Sequence, residues 1–282
     1  MFAIIGIVVV LGSLVAGYTM HGGQLLVLWQ ISEFIIIGGA AIGAFIVANP
    51  MTIIQATIKK ALGTLKGSPA SKKNYLELLQ MMYELFMFSK REGVIAIEPH
   101  IEKPKESSIL SKYPSFLANH HAVDFFCDTM KIILSGGLPV HDLEELMDID
   151  LDTQHHQEAK PAEALNTMSD AFPGLGIVAA VLGVVITMGK IDQPPAVIGQ
   201  SVGAALVGTF IGILLCYGVV GPLVKNMENI THDEHQYMMC IKASLLSFVK
   251  GAPPLVAVEF GRRAISLYFR PTYEETEQAV KK

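Results

Sequence analysis

The sequence lacks the motifs on which most nucleotide-dependent and hydrolytic enzymes depend. Its 282 residues contain no Walker-type phosphate loop, no GxSxG elbow and no GxGxxG motif after a strand. The net charge of -5 and the absence of basic stretches interleaved with aromatic residues argue against nucleic-acid binding. We therefore expect neither an enzyme nor a nucleic-acid-binding protein.

Cysteine is scarce as well. Cys127, Cys216 and Cys240 lie far apart and form no CxxC pair or zinc-binding pattern. We interpret them as reduced thiols that pack as small apolar groups. His232 and His235 lie in the run THDEH, which lacks the order and spacing of an HExxH metal motif. The sequence therefore predicts no metal site and no cofactor.

Charge is almost missing from four long apolar runs, and hydrophobic residues make up 51% of the chain. A helix of about 20 apolar residues is long enough to cross a membrane. The four runs are Phe2 to Met20, Val27 to Asn49, Phe172 to Met188 and Ile198 to Val224. They predict an all-α fold, a polytopic membrane protein with four transmembrane helices and a helical cytoplasmic domain. We expect the third helix to begin earlier, near Asp170.

Basic residues are distributed unevenly between the two sides of these spans. Of 21 Lys and Arg residues, 12 lie between residues 50 and 168 and eight after residue 224, whereas Lys190 alone lies in a short connection. Because Lys and Arg near span ends are held on the cytoplasmic side, we expect a multi-pass inner-membrane protein with both termini in the cytoplasm. The predicted division is 1–49 and 170–224 for the transmembrane pairs, 50–169 for the cytoplasmic domain and 225–282 for a cytoplasmic helix and tail.

The cytoplasmic segments show helical rather than strand periodicity. Apolar residues recur at spacings of three and four between Tyr75 and Phe88, which predicts an amphipathic helix that Gly93 ends. Further helices are predicted over Ala122 to Ser135, with Gly136-Gly137 as its end, over His141 to Ile149 and over Lys225 to Lys250. We interpret the polar run from Asp152 to Ala162 as a linker.

The third and fourth spans contain no acidic, basic or imidazole side chain, and the hydroxyl of Thr209 is the polar group nearest mid-span. Small residues share a face with it in the fourth span, including Ala205, and a similar face in the third includes Ala180 and Thr187. Such faces are typical of tight helix packing, also between copies of a chain. The alternative is that they line an ion path whose titrating group belongs to another chain.

Two prolines and two acidic residues lie near span ends. Pro173 and Pro222 each remove a backbone donor, which predicts either an end-of-helix kink or a flexure point that transmits motion. Glu33 lies close to the outer end of the second span, so we expect it to reach the interface or to form a local hydrogen bond. Asp170 is expected to be a favourable charge at a helix N-terminus.

A cytoplasmic segment that begins near Lys90 concentrates charges of both signs, including Arg91 and Glu98. Mixed charge of this kind is typical of a solvated surface. The alternative is a docking surface for a partner of complementary charge.

Four motifs in this order resemble the MotA family of flagellar stator subunits over essentially the whole chain. They are ESSIL with YP at 106–114, DAFPGLGIVAAVLGVV at 170–185, VGTFIGILLCYG with GP at 207–222 and APPLVAVEFGR at 252–262. The resemblance implies a flagellar motor subunit in which a homopentamer surrounds two MotB helices. Ions would cross beside an aspartate of the MotB dimer, and the cytoplasmic loop would push on the rotor protein FliG to generate torque for motility.

The same resemblance implies roles for individual residues. Thr209 would lie by the ion path, with Ala180, Thr187 and Ala205 as further lining residues. Torque coupling would involve the prolines at 173 and 222, together with the acidic residue at 170. Sodium-driven relatives tend to carry a hydroxyl at the position of Ala180, so the implied coupling ion is the proton.

One departure concerns the rotor contact. The family pattern has an Arg eight residues before the glutamate that matches Glu98, and this chain has Lys90 there, followed by Arg91. Both residues are basic, so the positive charge is kept. Either Lys90 or Arg91 could be the side chain that faces the rotor.

Three alternatives remain from the sequence. An ion-driven energiser of the ExbB or TolQ kind is a three-span protein, which the apolar run from Phe2 to Met20 argues against. A membrane scaffold without ion traffic would use the small-residue faces for packing only. A membrane enzyme would need a nucleophile and base pair that the sequence does not offer.

Overall fold

The structure is a computed structural model that describes residues 2–65, 67, 70–136 and 138–281. Every regular element in these residues is helical, which confirms the predicted all-α fold. The chain divides into two compact units. The membrane unit comprises Met1–Gly67 and Ala159–Asn229, and the second unit comprises Ser68–Glu158 and Ile230–Lys282. The predicted limits at residues 49, 169 and 224 concern the edge of the membrane and stay predictions.

Four helices or helix pairs are long and apolar enough to cross a membrane, as the sequence predicts. The first is α1, Phe2–Met20, and the second is broken into α2, Leu25–Leu28, and α3, Ile31–Ala48. The break lies at Trp29 and Gln30, whose backbones leave the helical conformation. After α3 the chain enters α4, Met51–Thr64.

The third span is the end of one long helix, α9, which runs over Val140–Met188. The predicted linker from Asp152 to Ala162 is therefore wrong, as is the predicted helix start near Asp170. The physical reason is that Leu143, Met147 and Leu151 recur at every fourth position and are buried, so the helix has an apolar face before the polar run begins. Polar residues do not by themselves end a helix.

The fourth span consists of α10, Pro195–Ile213, followed by a π-helical segment, Leu214–Val220, and by α11, Gly221–Val249. A π-helical turn has one residue more per hydrogen-bonded ring and is found mostly at functional sites. The helix predicted over Lys225 to Lys250 is confirmed. Its second residue is Pro222, directly after the π-helical segment.

The second unit is built around α5, Lys72–Glu92. Ser71 caps its first turn by accepting a hydrogen bond from the Asn74 backbone amide at 3.2 Å, and Gly93 ends it with a φ of 93°. Its buried face, which includes Phe86, packs against Phe248 of α11, with ring centroids 4.2 Å apart. The predicted amphipathic helix is confirmed.

The other elements of the second unit are shorter. Helix α8 covers His120–Ser135 and ends at Gly136, which has a φ of 67°; Gly137 lies outside the described residues. The remaining bounds are Val94–Ile97 and Leu110–Lys112 for two 3₁₀ turns, Glu98–Glu102 for α6, Pro114–Ala118 for α7, Pro254–Ala264 for α12 and Tyr273–Val280 for α13.

Candidate functional site

Helices α9 and α10 meet at backbone distance. A Cβ atom built on Gly176 would lie 2.9 Å from the Gly208 carbonyl oxygen and 3.3 Å from the Cα atom of Thr209. A Cβ atom on Gly212 would lie 2.5 Å from the carbonyl oxygen of Phe172. Only glycine allows this approach, so the small residues predicted to pack the third span against the fourth do so within one chain.

The four predicted lining residues divide into two pairs at this contact. Thr209 and Ala180 are half-buried. Ala205 and Thr187 are 2% and 1% exposed, and the Thr187 hydroxyl donates to the Gly183 carbonyl of its own helix at 2.8 Å. Burial within a single chain argues against direct contact between these last two residues and a crossing ion.

Glu33 lies at a helix contact. Its side chain is buried, with 6% of the residue exposed, and no described residue hydrogen-bonds the Oε2 atom. A Cβ atom on Gly208 would lie 2.5 Å from that oxygen, so the carboxyl group packs against α10. The expected local hydrogen bond to this oxygen is absent from the described residues, whereas the expectation that Glu33 reaches the interface stays a prediction.

The segments around the two prolines lie against each other. Pro173 lies inside α9 rather than near its end, so an end-of-helix kink does not describe it. One turn earlier, the Ser169 hydroxyl donates to the Cys216 carbonyl of the π-helical segment at 3.4 Å. Pro222 is exposed and follows this segment directly. The structure thus brings both proline-containing segments to one helix contact.

Asp170 is exposed on the surface of α9. Its Oδ2 atom accepts a hydrogen bond from the Asn166 side-chain amide at 3.1 Å, one turn earlier in the same helix. Because α9 begins at Val140, this carboxylate lies about eight turns after the N-terminus of its own helix. The expected stabilisation of Asp170 by a helix dipole is therefore wrong.

The predicted docking residues are all exposed. Lys90 and Arg91 lie in the last turn of α5, and Glu98 is the first residue of α6. Within residues 70–136, no ion pair joins either basic side chain to Glu98. Both signs of charge are therefore presented to the outside, separated by the turn at Gly93.

Buried neighbours fix this charged segment in place. Ile97 and Ile101, on either side of Glu98, are at most 1% exposed and belong to the core of the second unit. His100 hydrogen-bonds the Ser107 hydroxyl at 2.8 Å through Nδ1 and lies edge-on to Phe88, with ring centroids 5.2 Å apart. The segment is a rigid ridge, which we call the charged ridge and define by Lys90, Arg91 and Glu98.

One group in the described residues has the composition of a metal site. Ligand atoms of His141, Asp142 and Glu145 lie within 4.8 Å of one another at the start of α9. His141 and Glu145 are exposed, and exposed acidic groups of this kind are common without a metal. The His235 ring lies against the His155 ring at an interplanar angle of 49°, with centroids 4.6 Å apart, and burial of His235 lowers the pKa of its imidazole. Neither group contributes to the helix contact or the charged ridge.

Comparison with known proteins decides the family. A sequence profile described as Motility protein A N-terminal matches residues 4–93, and one described as the MotA/TolQ/ExbB proton channel family matches residues 118–239. Motility protein A of Salmonella typhimurium is 40% identical over 281 residues, which cover 100% of this chain and 95% of that protein. The chain belongs to the motility protein A family.

Other members of the motility protein A family have similar coverage. The Escherichia coli protein is 39% identical over 281 residues, and chemotaxis protein LafT of Vibrio parahaemolyticus is 34% identical over 274 residues, or 97% of this chain and 96% of LafT. The solved structure of Campylobacter jejuni MotAB has a TM-score of 0.78 and 20% identity, over 94% of this chain and 95% of that one. The Bacillus subtilis flagellar MotAB stator complex has a TM-score of 0.73, 19% identity and 98% coverage of both chains. These structures confirm the fold.

Sequence reasoning missed two features of this motility protein A family member. The burial of Glu33 depends on which helix covers it, and a span's own sequence does not state that. The contact between Ser169 and Cys216 joins residues 47 positions apart. Two sequence features could have indicated these contacts. One is Gly208, which has no side chain and so leaves room for a long one, and the other is the glycine-rich run of the fourth span.

Proposed function

We propose that this chain is the torque-generating, proton-conducting subunit of a flagellar stator and that it acts with a MotB-type partner. The observation that carries the proposal is the absence of acidic, basic and imidazole side chains from the third and fourth spans, although the second profile match is to a proton channel family. A path built from these faces needs a carboxylate from outside the chain. Both solved relatives are MotAB complexes, which supports such a partner.

Protonation of the partner's aspartate would change what that side chain prefers to contact. The ionised form seeks polar groups such as the Thr209 hydroxyl, whereas the neutral form is tolerated against apolar surface. Alternation between the two would step a ring of these chains around the partner helices. A proton that crosses about 150 mV releases roughly 3.5 kcal/mol, about six times the thermal energy.

The wider assembly follows from the same proposal. Five copies would form the ring around a MotB dimer in the bacterial inner membrane, with both termini in the cytoplasm. The charged ridge would contact the rotor protein FliG, and motion at the segments around Pro173 of α9 and Pro222 of α11 would reach it through α9. No chemical reaction on a substrate is required, so the proposal includes no enzymatic role.

The coupling ion in this proposal is the proton. Ala180 is half-buried next to the helix contact, and its methyl group offers no oxygen ligand for a metal cation. Swimming speed measured against external sodium at fixed pH should therefore stay constant. A speed that rises with sodium would contradict proton coupling.

Proton uptake tests the main proposal. Cells or vesicles that contain this chain together with an unplugged MotB-type partner should take up protons, whereas the chain alone should conduct none. Replacement of the partner's aspartate by asparagine is the matched control and should abolish uptake. Equal uptake with and without the partner, or none with it, would contradict the proposal.

A further inference from the structure

Glu33 is a buried carboxyl group for which the stator mechanism has no role so far. It lies in the first turn of α3 and is 6% exposed, and its Oε2 atom has no hydrogen-bond partner in the described part of the chain. The position of a Gly208 Cβ atom would be 2.5 Å from Oε2 and 3.0 Å from the Ala179 Cβ atom. The carboxyl group therefore packs against α10, close to the point where α10 meets α9.

Two opposing influences act on this group. An ionised carboxylate away from water is costly unless it is paired, so burial favours the neutral acid. The break at Trp29 and Gln30 places Glu33 in a helix first turn, where free backbone amides favour negative charge, and Gln30 gives α3 no side-chain cap. The surroundings thus accommodate both protonation states.

The position connects the carboxyl group to the predicted ion path. Gly208, which the carboxyl group abuts, immediately precedes Thr209 in α10. Ala179, whose Cβ atom lies 3.0 Å from the position of that same Gly208 Cβ atom, immediately precedes Ala180 in α9. The carboxyl group therefore lies near the two half-buried residues assigned to that path. Gly208 is the residue that makes room for it, because any Cβ atom there would collide with Oε2.

We propose that Glu33 is a second proton-binding site, carried by this chain itself and in exchange with the ion path. The carboxylate takes a proton from hydronium, which leaves water and the neutral acid, and the reverse transfer returns the proton to the path. The inference rests on the proposed function, because it needs a path with which to exchange. It adds a carboxyl group to a chain whose third and fourth spans have none.

Infrared difference spectra of the complex with the partner, taken between acidic and alkaline buffer, test the binding step. A protonated carboxyl group gives a C=O band that the carboxylate lacks. We expect this band in the wild-type complex, its loss in Glu33→Gln and its retention in Asp192→Asn, a control that removes an exposed carboxylate from the connection between α9 and α10. Identical spectra for the wild-type and Glu33→Gln complexes would overturn the proposal.

Proton uptake by the same complexes tests the exchange step. We expect Glu33→Gln to lower uptake by about tenfold or more, as removal of a positioned proton-transferring group does, and Asp192→Asn to leave it unchanged. Unchanged uptake in Glu33→Gln overturns the proposal even if the band is lost, since the carboxyl group would then titrate away from the path. If the wild-type complex takes up no protons, the proposed function fails instead, and the infrared result still decides whether Glu33 titrates.

Glu33→Asp keeps the inference testable if Glu33→Gln does not assemble. In a complex made with ¹³C-carboxyl-labelled glutamate, the band should be isotope-shifted in the wild type and unshifted in Glu33→Asp. A band that stays shifted in Glu33→Asp comes from another glutamate, and that result overturns the proposal.

Discussion

At the scale of single residues, Thr209 is the side chain on which the ion path depends most directly. It is half-buried, and its Cα atom lies where α9 and α10 meet at Gly176. Thr209→Val has nearly the same shape and removes only the hydroxyl. A hydrogen bond is worth about 1 kcal/mol, so we expect proton uptake by the complex with the partner to fall by roughly five- to tenfold.

Thr209→Ser is the matched control, because it keeps the hydroxyl and loses a methyl group. It should retain most of the uptake. Wild-type uptake in Thr209→Val would show that the hydroxyl does not contact the crossing ion.

Glu259 stabilises α12 in a way that depends on pH. Its carboxylate accepts two hydrogen bonds from the Arg262 guanidinium, at 2.6 and 2.7 Å, and one from Arg263 at 2.8 Å. The hydrogen bonds from Arg262 and Arg263 hold the pKa of Glu259 below its ordinary value of about 4.5. Because the folded-state pKa is depressed, this stabilisation is fully present above pH 4.5 and is lost as the pH falls through the folded-state value.

We expect Glu259→Gln to lower the free energy of unfolding at pH 7 by about 1.5–3 kcal/mol, the range for hydrogen bonds to charged groups. The difference from the wild type should begin to shrink as the pH falls below about 4.5 and should disappear once the pH is below the folded-state pKa. Thermal unfolding of the purified full-length chain in detergent measures both. Glu277→Gln removes a solvent-screened ion pair with Lys281 and should leave the stability nearly unchanged. A loss for Glu259→Gln that does not depend on pH would contradict this explanation.

At the scale of helices, the contact between α9 and α10 leaves no room for a methyl group at Gly212. A Cβ atom there would lie 2.5 Å from a backbone oxygen, which no side-chain rotation can relieve. We expect Gly212→Ala to destabilise the chain by about 1–3 kcal/mol, the usual cost of overpacking. Its thermal unfolding midpoint in detergent should fall accordingly.

Gly199→Ala is the control in the same helix, because no atom lies within 4 Å of a Cβ atom built on Gly199. Alanine favours helix by about 1 kcal/mol over glycine, so this variant should be neutral or stabilising. Equal destabilisation of both variants would mean that the close approach at Gly212 is not what destabilises Gly212→Ala.

The sequence predicts the helices well where a buried face is regular and a glycine ends it, as between Tyr75 and Gly93. It does not predict the continuity of α9, since the polar run from Asp152 to Ala162 resembles a linker when its tertiary contacts are unknown. Those contacts involve Ala162, which packs in a cluster with Val224 and Met227. Such pairings across the sequence depend on the folded structure.

The sequence predicts those residues of the candidate site whose chemistry is rare in the surrounding segment. Thr209 stands out because its span has no other polar group near the middle, and the exposure of Lys90 and Arg91 follows from their charge. The enclosure of Ala205 and the burial of Glu33 could not be foreseen. A helical repeat gives the position of a residue around its own helix but not the neighbour that covers it.

At the scale of the whole molecule, ion conduction and rotor contact are assigned to different units. The predicted ion path lies in the membrane unit, and the charged ridge lies in the second unit. Damage to one unit should therefore leave the activity of the other measurable. Charge reversal at the ridge is the clearest test of this separation.

We expect Lys90→Glu combined with Arg91→Glu to abolish swimming, while membrane insertion and proton uptake with the partner stay at wild-type levels. The physical reason is that the ridge is exposed and that, under the proposed function, its charges would meet a complementary surface, where like charge would repel. Adding Glu98→Lys changes the net charge of the ridge only from -3 to -1, against +1 in the wild type, and inverts its pattern, so it should not restore swimming. Swimming, immunoblots of membrane fractions and proton uptake provide the three measurements.

Lys73→Glu is the matched control for this prediction. Lys73 is also exposed on α5 but lies 17 residues from Lys90, which is about 25 Å along the helix. That distance exceeds the screening length of about 8 Å at physiological salt, so its reversal should leave the field at the ridge unchanged. Normal swimming after reversal at the ridge would mean that torque reaches the rotor elsewhere. Equal loss from Lys73→Glu would mean that net charge, rather than the ridge, determines the contact.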